Sequence, residues 1–142
     1  MNIKIVELRE GFTPVYKHPT DACCDCMANV KEPLYIENGM TAKVPLGFAV
    51  EIPNGWEGVI KGRSGFSSKG IIAAIGTIDA GYTGEVCAIL TNTSKTPFLI
   101  HDGDRVCQFK VQKAEKIFFE KVDKLADSER GEKGFGSSGV SK

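Results

Sequence analysis

The chain has 142 residues, a length that fits one domain and is too short for two full ones. Lys plus Arg and Asp plus Glu both total 18, so the formal net charge is +0. A balanced charge gives no basic surface of the kind that binds nucleic acid or anionic membrane regardless of sequence. We therefore expect neither as a direct partner, whereas a small polyanion needs only a local cluster of cations and backbone N–H groups.

The first twelve residues alternate polar and apolar side chains and carry acidic groups early, which fits neither a signal peptide nor a transit peptide. No apolar run approaches the roughly 20 residues needed to span a bilayer. The five cysteines are an odd number, which argues against a fully paired disulfide framework and agrees with a reducing compartment. The expected protein is soluble and cytoplasmic or otherwise intracellular.

Short alternating segments separated by Gly, Pro and Asn predict an all-β fold of the sandwich, barrel or jelly-roll type. The predicted strands span residues 3–8, 42–52, 56–61, 85–92, 98–100 and 105–112. In the fourth strand, Val86 and Ala88 share one face while Cys87 and Ile89 share the other, so both faces are predicted to be covered by a sheet or a subunit. At most one short helix is expected, of one or two turns around residues 65–72.

Cys23 and Cys26 have the CxxC spacing of some metal and redox sites. A structural zinc ion normally takes four ligands, and the other cysteines are isolated in the sequence. The spacing is therefore weak evidence for zinc. Cys24 and Cys26, two residues apart, are expected to share one face of a strand.

The segment Gly62-Arg63-Ser64-Gly65 places a guanidinium and a hydroxyl between two residues that let the backbone approach a ligand closely. Such a segment can cradle a phosphate, and a helix starting at Gly65 would add its free N–H groups. The alternative is a solvent-facing turn. Because the segment lacks the Lys of a P-loop, that motif is excluded.

Residues 76–85 read as a strand, a tight turn and a second strand, which predicts a β-hairpin. Asp79 lies beside the turn, and Tyr82 supplies a flat ring with a polar tip. Asp79 either caps the turn backbone or orients and deprotonates a water molecule, and nothing local decides between the two.

Two further segments carry polar side chains that could bind a ligand. Residues 103–108 enter a strand with Arg105 and Gln108 available. The polar tail, residues 125–142, has a composition typical of disorder, yet it holds Arg130 and a phenylalanine spaced by glycines. Such a ring can stack on a base while the following N–H groups and hydroxyls wrap phosphates.

Taken in order, five segments resemble the motifs of the trimeric dUTPase family. They are residues 21–26, 62–65, 76–85, 103–108 and 130–139, which together span most of the chain. The resemblance implies a distorted jelly-roll or barrel-like subunit within a homotrimer. It also implies hydrolysis of dUTP to dUMP and pyrophosphate by water attack on the α-phosphorus, which limits uracil incorporation into DNA and supplies dUMP for dTMP synthesis.

The resemblance also divides the chain. Residues 1–125 would form the jelly-roll domain, and residues 126–142 would form a flexible C-terminal arm that closes on a neighbouring subunit's site. In the first and second motifs the chain departs from the family, because Cys23 stands where Gly is usual and Gly62 where Pro is common. Ala73 lies where some members have an Asn near the base.

Individual roles follow from the same resemblance. Asp79 would be the catalytic carboxylate, and Asp25 would orient waters on a Mg²⁺ ion held by the triphosphate. Tyr82 would pack beneath the deoxyribose and leave no space for a 2′-hydroxyl. The phosphates would be bound by Arg63, Ser64, Gly65 and Gln108, with Arg130, Gly136, Ser137 and Ser138 closing over the terminal ones. The uracil would be read by the backbone of Gly76, Thr77 and Ile78 and stacked on by Phe135.

Two other functions compete with this hypothesis. A dCTP deaminase shares the fold and several motifs, but it needs a different carboxylate and a different base-reading loop. A non-catalytic trimer that serves as a binding protein is the second alternative. The Asp79 and Tyr82 pair and the complete tail motif favour dUTP hydrolysis over deamination, and the retention of every chemically reactive position argues against a loss of activity.

Overall fold

Strands separated by loops and turns follow one another up to Lys113 in the computed structural model, which describes residues 1–132 and 134. The strands are β1 (Lys4–Glu7), β2 (Cys24–Met27), β3 (Leu34–Ile36), β4 (Thr41–Pro45), β5 (Phe48–Glu51), β6 (Trp56–Lys61), β7 (Ile71–Ala73), β8 (Gly76–Ile78), β9 (Cys87–Asn92), β10 (Phe98–Ile100) and β11 (Arg105–Lys113). Within the described residues one helix is present, α1 (Ser64–Ser67). The prediction of an all-β fold with at most one short helix is confirmed.

The strands form four sheets in which every pairing is antiparallel. The largest sheet has the order β2-β11-β6-β8, and a second has the order β4-β9-β7. Two strand pairs, β1-β5 and β3-β10, complete the arrangement. In each of these sheets the strand order has two ends, so the described part of the chain contains no closed barrel. The strand β8 consequently lies at an edge of the largest sheet.

Every strand except β1 contributes buried residues to a single core. Phe48 of β5 contacts Phe109 of β11 edge to face, with ring centroids 5.9 Å apart. Gly58 makes room for this ring, because a Cβ atom there would lie 2.7 Å from the Phe109 side chain. Asn92 is a buried polar residue, and its amide donates to the carbonyls of Ile36 and Thr96 at 2.7 and 2.8 Å. The core therefore contains a fully bonded polar group instead of an unpaired one.

Two predicted elements differ from the observed ones at glycines with positive φ. The strand predicted over residues 42–52 is interrupted at Gly47, whose φ of +75° lies in the region that L side chains rarely adopt. The helix predicted around residues 65–72 is displaced, since α1 ends at Ser67 and Gly70, with φ of +79°, reverses the chain into β7. The alternation of polar and apolar residues predicts strands, but it does not predict a change of chain direction at a glycine.

The predicted hairpin over residues 76–85 is wrong. The strand β8 pairs with β6, whereas β9 pairs with β4 and β7 in a different sheet. Between β8 and β9, the Val86 N–H donates to the Phe48 carbonyl at 2.9 Å, and the Val86 carbonyl accepts from the Leu46 N–H at 3.0 Å. These bonds tie Val86 to the chain around the turn between β4 and β5. The turn was recognised correctly from local residues, but the strand partners are set by distant parts of the chain.

The strand β9 is covered on only one face within a single chain. Val86, Ala88 and Leu90 are buried, whereas the side chain of Ile89 is 40% exposed. Within the described residues of one chain the other face is only partly covered, so the prediction that a sheet or a subunit covers it stays a prediction. In the described residues, no helix is long and apolar enough to cross a membrane.

Near the N-terminus, the Glu7 carboxylate accepts hydrogen bonds from the backbone of Gly11 and from the backbone and hydroxyl of Thr13. These bonds, the Thr13 hydroxyl first, lower the pKa of Glu7 below its ordinary value of 4.5. Asp102 is held similarly, because its hydrogen bonds from Arg9 lower the pKa of that carboxyl.

We expect Glu7→Gln to lower stability more at neutral pH than in acid. Because the folded-state pKa of Glu7 is depressed, its carboxylate stabilises the fold above the unfolded-state pKa, and this contribution is lost as the pH falls through the folded-state pKa. The difference in urea midpoint between wild type and variant should therefore narrow from about pH 7 to about pH 3. A constant difference would contradict this role.

Candidate active site

One cleft collects side chains from three of the predicted motifs around Asp25. Its carboxylate lies 3.2 Å from Nε of Arg63 and 3.3 Å from a terminal nitrogen of Arg105. Nε2 of Gln108 donates to the same carboxylate at 3.1 Å. The Asp25 side chain is only 10% exposed, so these partners compensate the desolvation of its charge.

Strand register explains why residues far apart in sequence meet here. In the central sheet, Gln108 of β11 is opposite Asp25 of β2 on one side and Lys61 of β6 on the other. The chain leaves β6 at Lys61, so Arg63 follows two residues later at the same level of the sheet. A terminal nitrogen of Arg63 also donates to the Arg105 carbonyl at 2.5 Å, which fixes the plane of the guanidinium.

We call this site the arginine cleft, and its volume is about 410 Å³. It is lined by Lys17, Asp21, Ala22, Cys23, Asp25, Arg63, Arg105 and Gln108. Three basic and two acidic side chains leave an excess of positive charge, and the guanidinium groups offer paired donors that match phosphate geometry. The cleft is therefore suited to an anion with several oxygens.

A second cleft of about 260 Å³ surrounds the third predicted motif, and we call it the Asp79 cleft. It is lined by Lys43, Gly76, Thr77, Ile78, Asp79, Tyr82, Glu85, Val86 and Cys87. Since β8 is an edge strand, one row of its backbone N–H and C=O groups has no strand partner. Such an edge can form hydrogen bonds with a flat polar ring, and the exposed Asp79 carboxylate follows it directly.

Tyr82 is held in the loop after Asp79 by local contacts. Its backbone N–H donates to the Asp79 carbonyl at 3.0 Å, and its hydroxyl donates to the Glu85 carbonyl at 2.9 Å. A Cβ atom at Gly84 would lie 2.6 Å from the tyrosine hydroxyl oxygen, so glycine is required for the ring to pack there. The ring remains 47% exposed and offers a flat surface beside the carboxylate.

The predicted site residues fall into three groups in the structure. Arg63, Gln108 and Asp25 meet in the arginine cleft, and Gly76, Thr77, Ile78, Asp79 and Tyr82 meet in the Asp79 cleft. Ser64 and Gly65 start α1 beside Arg63 and are exposed, and Arg130 lies in the exposed segment after β11. Phe135, Gly136, Ser137 and Ser138 lie outside the described residues.

The sequence prediction omitted several residues that line the clefts. Arg105 was noted as a polar strand residue but was not assigned to the site, although it pairs with Asp25. Lys17 and Asp21 also line the arginine cleft, and Lys43 and Glu85 line the Asp79 cleft. Arg105, Asp21 and Glu85 stand within predicted motifs and so carried a local signal, whereas Lys17 and Lys43 lie outside every motif.

The cysteines lie in environments that are typical of residues packed in a protein interior. Cys26 lies opposite Cys107 across β2 and β11, and both are buried. A hydrogen bond with Cys107, followed by burial, raises the pKa of the Cys26 thiol, which keeps it protonated. Cys24 does lie on β2, as expected, and burial raises the pKa of its thiol. No group of three or more potential metal ligands among His, Cys, Asp and Glu occurs in the part of the chain that the structure describes.

Among the described residues, the site thus combines an open strand edge that ends at a carboxylate with a separate cleft lined by guanidinium groups. A sequence profile of the dUTPase family matches residues 10–139. The chain belongs to the dUTPase family, whose members hydrolyse dUTP to dUMP and pyrophosphate.

Solved structures of phage enzymes are similar over almost the whole chain. A mutant dUTPase of Staphylococcus bacteriophage 80alpha with bound dUpNHpp has 28% sequence identity and a TM-score of 0.88, covering 98% of this chain and 99% of that one. Another structure of the 80alpha dUTPase with this analogue has a TM-score of 0.87 at the same identity and coverage. The dUTPase of the S. aureus phage phi11 shares the fold, with a TM-score of 0.79 and 24% identity over 88% of this chain and 98% of that one.

Proposed function

We propose that Asp79 activates the water that attacks the α-phosphorus of dUTP, so that dUMP and pyrophosphate are released. The observation that carries this assignment is the position of Asp79 directly after the edge strand β8 and within the same cleft. A base bound to the β8 backbone places its sugar and first phosphate close to that carboxylate. Hydrolysis there removes dUTP from the pool used for DNA synthesis and supplies dUMP for dTMP synthesis.

Base selection follows from the open edge of β8. The backbone groups of Gly76, Thr77 and Ile78 present donors and acceptors at fixed positions along this edge, and we assign them to the edge of uracil. Cytosine presents a donor where uracil presents an acceptor, so it leaves a buried group unpaired, and this can give about 10⁴-fold discrimination. We therefore propose that dCTP is a poor substrate.

The phosphates are assigned to the arginine cleft of another subunit. Within the described residues, the two clefts have no lining residue in common, so a complete site requires both clefts to face one ligand. Arg63 and Gln108 bind the phosphate oxygens, and Ser64 and Gly65 contribute at the start of α1. The tail residues Arg130, Phe135, Gly136, Ser137 and Ser138 close over the base and the terminal phosphates.

Exposed apolar surface supports a homotrimer with exchanged arms. Ile72, Ile75 and Ile89 are 44, 79 and 40% exposed on or near the second sheet. In the segment after β11, Phe118 and Phe119 are 93 and 91% exposed. Water-exposed apolar groups of this size mark contact surfaces, and other copies of the chain would cover them. We propose residues 1–125 as the domain and residues 126–142 as the arm that reaches a neighbouring subunit.

The arginine cleft fits a Mg²⁺ ion that is bound together with the triphosphate. Mg²⁺ is usually held by one or two carboxylates, several waters and the phosphates of the substrate, and this cleft supplies Asp21 and Asp25. Because both Asp25 oxygens already accept hydrogen bonds from Arg105 and Gln108, Asp25 is suited to contact the ion through water. When bound, Mg²⁺ neutralises charge on the phosphates.

The direct test is turnover of dUTP, dCTP and UTP with Mg²⁺, combined with a mass measurement of the assembly. We expect pyrophosphate and dUMP from dUTP, and a mass of three chains. Ammonia release from dCTP would instead support a deaminase. Absence of any product would support the binding protein.

We expect Tyr82→Ala to lose sugar selectivity before base selectivity. The ring packs beneath the deoxyribose, whereas the base is read by the backbone of β8, so the two selectivities depend on different groups. A loose apolar pocket rejects an added hydroxyl by only about 100-fold, so sugar discrimination beyond that factor depends on the close fit against Tyr82 and should disappear in Tyr82→Ala. The ratios of kcat/KM for dUTP over UTP and dUTP over dCTP give the measurement. Tyr82→Phe keeps the ring but loses its hydrogen bond to the Glu85 carbonyl, so its dUTP over UTP ratio should lie between those of wild type and Tyr82→Ala. An unchanged dUTP over UTP ratio in Tyr82→Ala would contradict the assignment.

A further inference from the structure

We propose that Glu85 is a positioning residue that anchors the loop carrying Asp79 and Tyr82, and that it thereby sets discrimination against ribonucleotides. This inference rests on the proposed function of the Asp79 cleft. Glu85 was not assigned any role by its motif, yet its side chain is half-buried and lines that cleft. Its contacts link the loop to two distant parts of the chain.

The carboxylate of Glu85 is held by donors that are themselves fixed. One oxygen, Oε1, accepts from the backbone N–H of Gly47 at 2.9 Å and from Nδ2 of Asn29 at 3.2 Å. Gly47 is buried, and its carbonyl accepts from the N–H groups of Leu8 and Arg9 at 2.8 and 3.2 Å. The anchor therefore rests on a rigid turn of the core.

The Tyr82 ring is restrained through the backbone of the same residue, Glu85. The carbonyl of Glu85 accepts the Tyr82 hydroxyl at 2.9 Å, and the ring lies against Gly84. Residues 81–84 are all exposed, so core packing does not hold them. The position of Tyr82 relative to the edge strand then depends on the placement of Glu85.

Removal of the Glu85 side chain should loosen the loop without unfolding the protein. The next residue, Val86, is buried and keeps its backbone hydrogen bonds to Phe48 and Leu46. The strand β9 therefore stays in place, whereas the Glu85 carbonyl, no longer fixed through its side chain, can tilt about the Val86 N–H bond to Phe48 and release the preceding turn. Displacing a catalytic group by about 1 Å can reduce the rate by about 100-fold, so the loop needs to move only slightly to change selectivity.

The test compares Glu85→Ala, Glu85→Gln and a matched control, Glu7→Ala. The Gln side chain keeps an oxygen that can accept the hydrogen bonds from Gly47 and Asn29, so Glu85→Gln should retain the sugar selectivity that Glu85→Ala loses. Glu7 is also a carboxylate that anchors a loop through backbone N–H groups, and it lines neither cleft. We expect Glu85→Ala to lower the kcat/KM ratio of dUTP over UTP by about tenfold, and Glu85→Gln and Glu7→Ala to retain the wild-type ratio.

Amide hydrogen exchange without nucleotide separates this inference from the proposed function. The Tyr82 amide donates to the Asp79 carbonyl, so it should exchange faster in Glu85→Ala than in wild type and not in Glu7→Ala. Wild type that fails to hydrolyse dUTP would remove the proposed function while leaving this exchange result interpretable. Unchanged exchange and an unchanged selectivity ratio in Glu85→Ala would overturn the positioning role. Equal loss in Glu85→Gln and Glu85→Ala would also overturn it, because the charge would then be what matters.

Discussion

Asp79→Asn should abolish dUTP hydrolysis and leave the fold intact. The amide cannot accept the proton of the attacking water, and loss of a general base usually costs about 100-fold to 10,000-fold in rate. Because Asp79 is exposed, the change should alter stability by no more than about 0.5 kcal/mol. Pyrophosphate release measures the first effect and thermal unfolding the second.

Substrate binding by Asp79→Asn and the activity of a second variant are needed to interpret the loss of hydrolysis. Binding of dUTP should survive in Asp79→Asn, since the base edge and the arginine cleft are unchanged, and calorimetric titration would show it. Asp79→Glu is the matched variant, because it keeps the charge but moves the carboxylate by one methylene, and it should also be strongly impaired. A variant Asp79→Asn with turnover close to wild type would remove the assignment of this carboxylate.

Arg63→Ala should reduce kcat/KM for dUTP by about 100-fold or more, because hydrogen bonds to charged groups contribute about 1.5–3 kcal/mol each. The same substitution removes one of the partners of Asp25, whose side chain is only 10% exposed. A loss of about 1–2 kcal/mol in the free energy of unfolding should accompany the kinetic effect, as Arg105 and Gln108 still neutralise and bond the carboxylate. Steady-state kinetics and urea unfolding measure the two effects.

Controls separate the loss of a phosphate ligand from general destabilisation. Arg63→Lys keeps the charge but not the planar fork of donors, so it should recover only part of the activity. Arg9→Ala removes an arginine that pairs with Asp102 at 2.5 Å outside both clefts. That variant should lose stability with no change in KM. An unaltered kcat/KM in Arg63→Ala would show that the phosphates bind elsewhere.

Local patterns in the sequence predicted those features that depend on neighbouring residues. The strands β6 and β10 were predicted with both ends correct, because their alternation and flanking turn residues are local. Asp79 and Tyr82 were recognised together for the same reason, since they are three residues apart. The strand partners of β8 and β9 were not predictable from that segment, because both lie in positions set by other sheets.

The arginine cleft shows the same limit more clearly. Asp25 meets Arg63, Arg105 and Gln108 across separations of 38, 80 and 83 residues. The register of β2 against β11 decides these contacts, and no sequence pattern gives that register. The ordered motifs resembling the dUTPase family indicated that these segments belong to one site. They did not indicate that Arg105 shares the carboxylate or that Glu85 holds the turn.

The exposed edge of β8 has a consequence for solubility. Unpaired backbone groups at a sheet edge are a template on which another chain can add a strand and begin aggregation. In this protein that edge is three residues long and is followed at once by the charge of Asp79. Three residues are enough for one pyrimidine but too few for a stable intermolecular pairing. Variants in which this edge is longer, or lacks the charge that follows it, would therefore lose nucleotide recognition and associate with other copies of the chain.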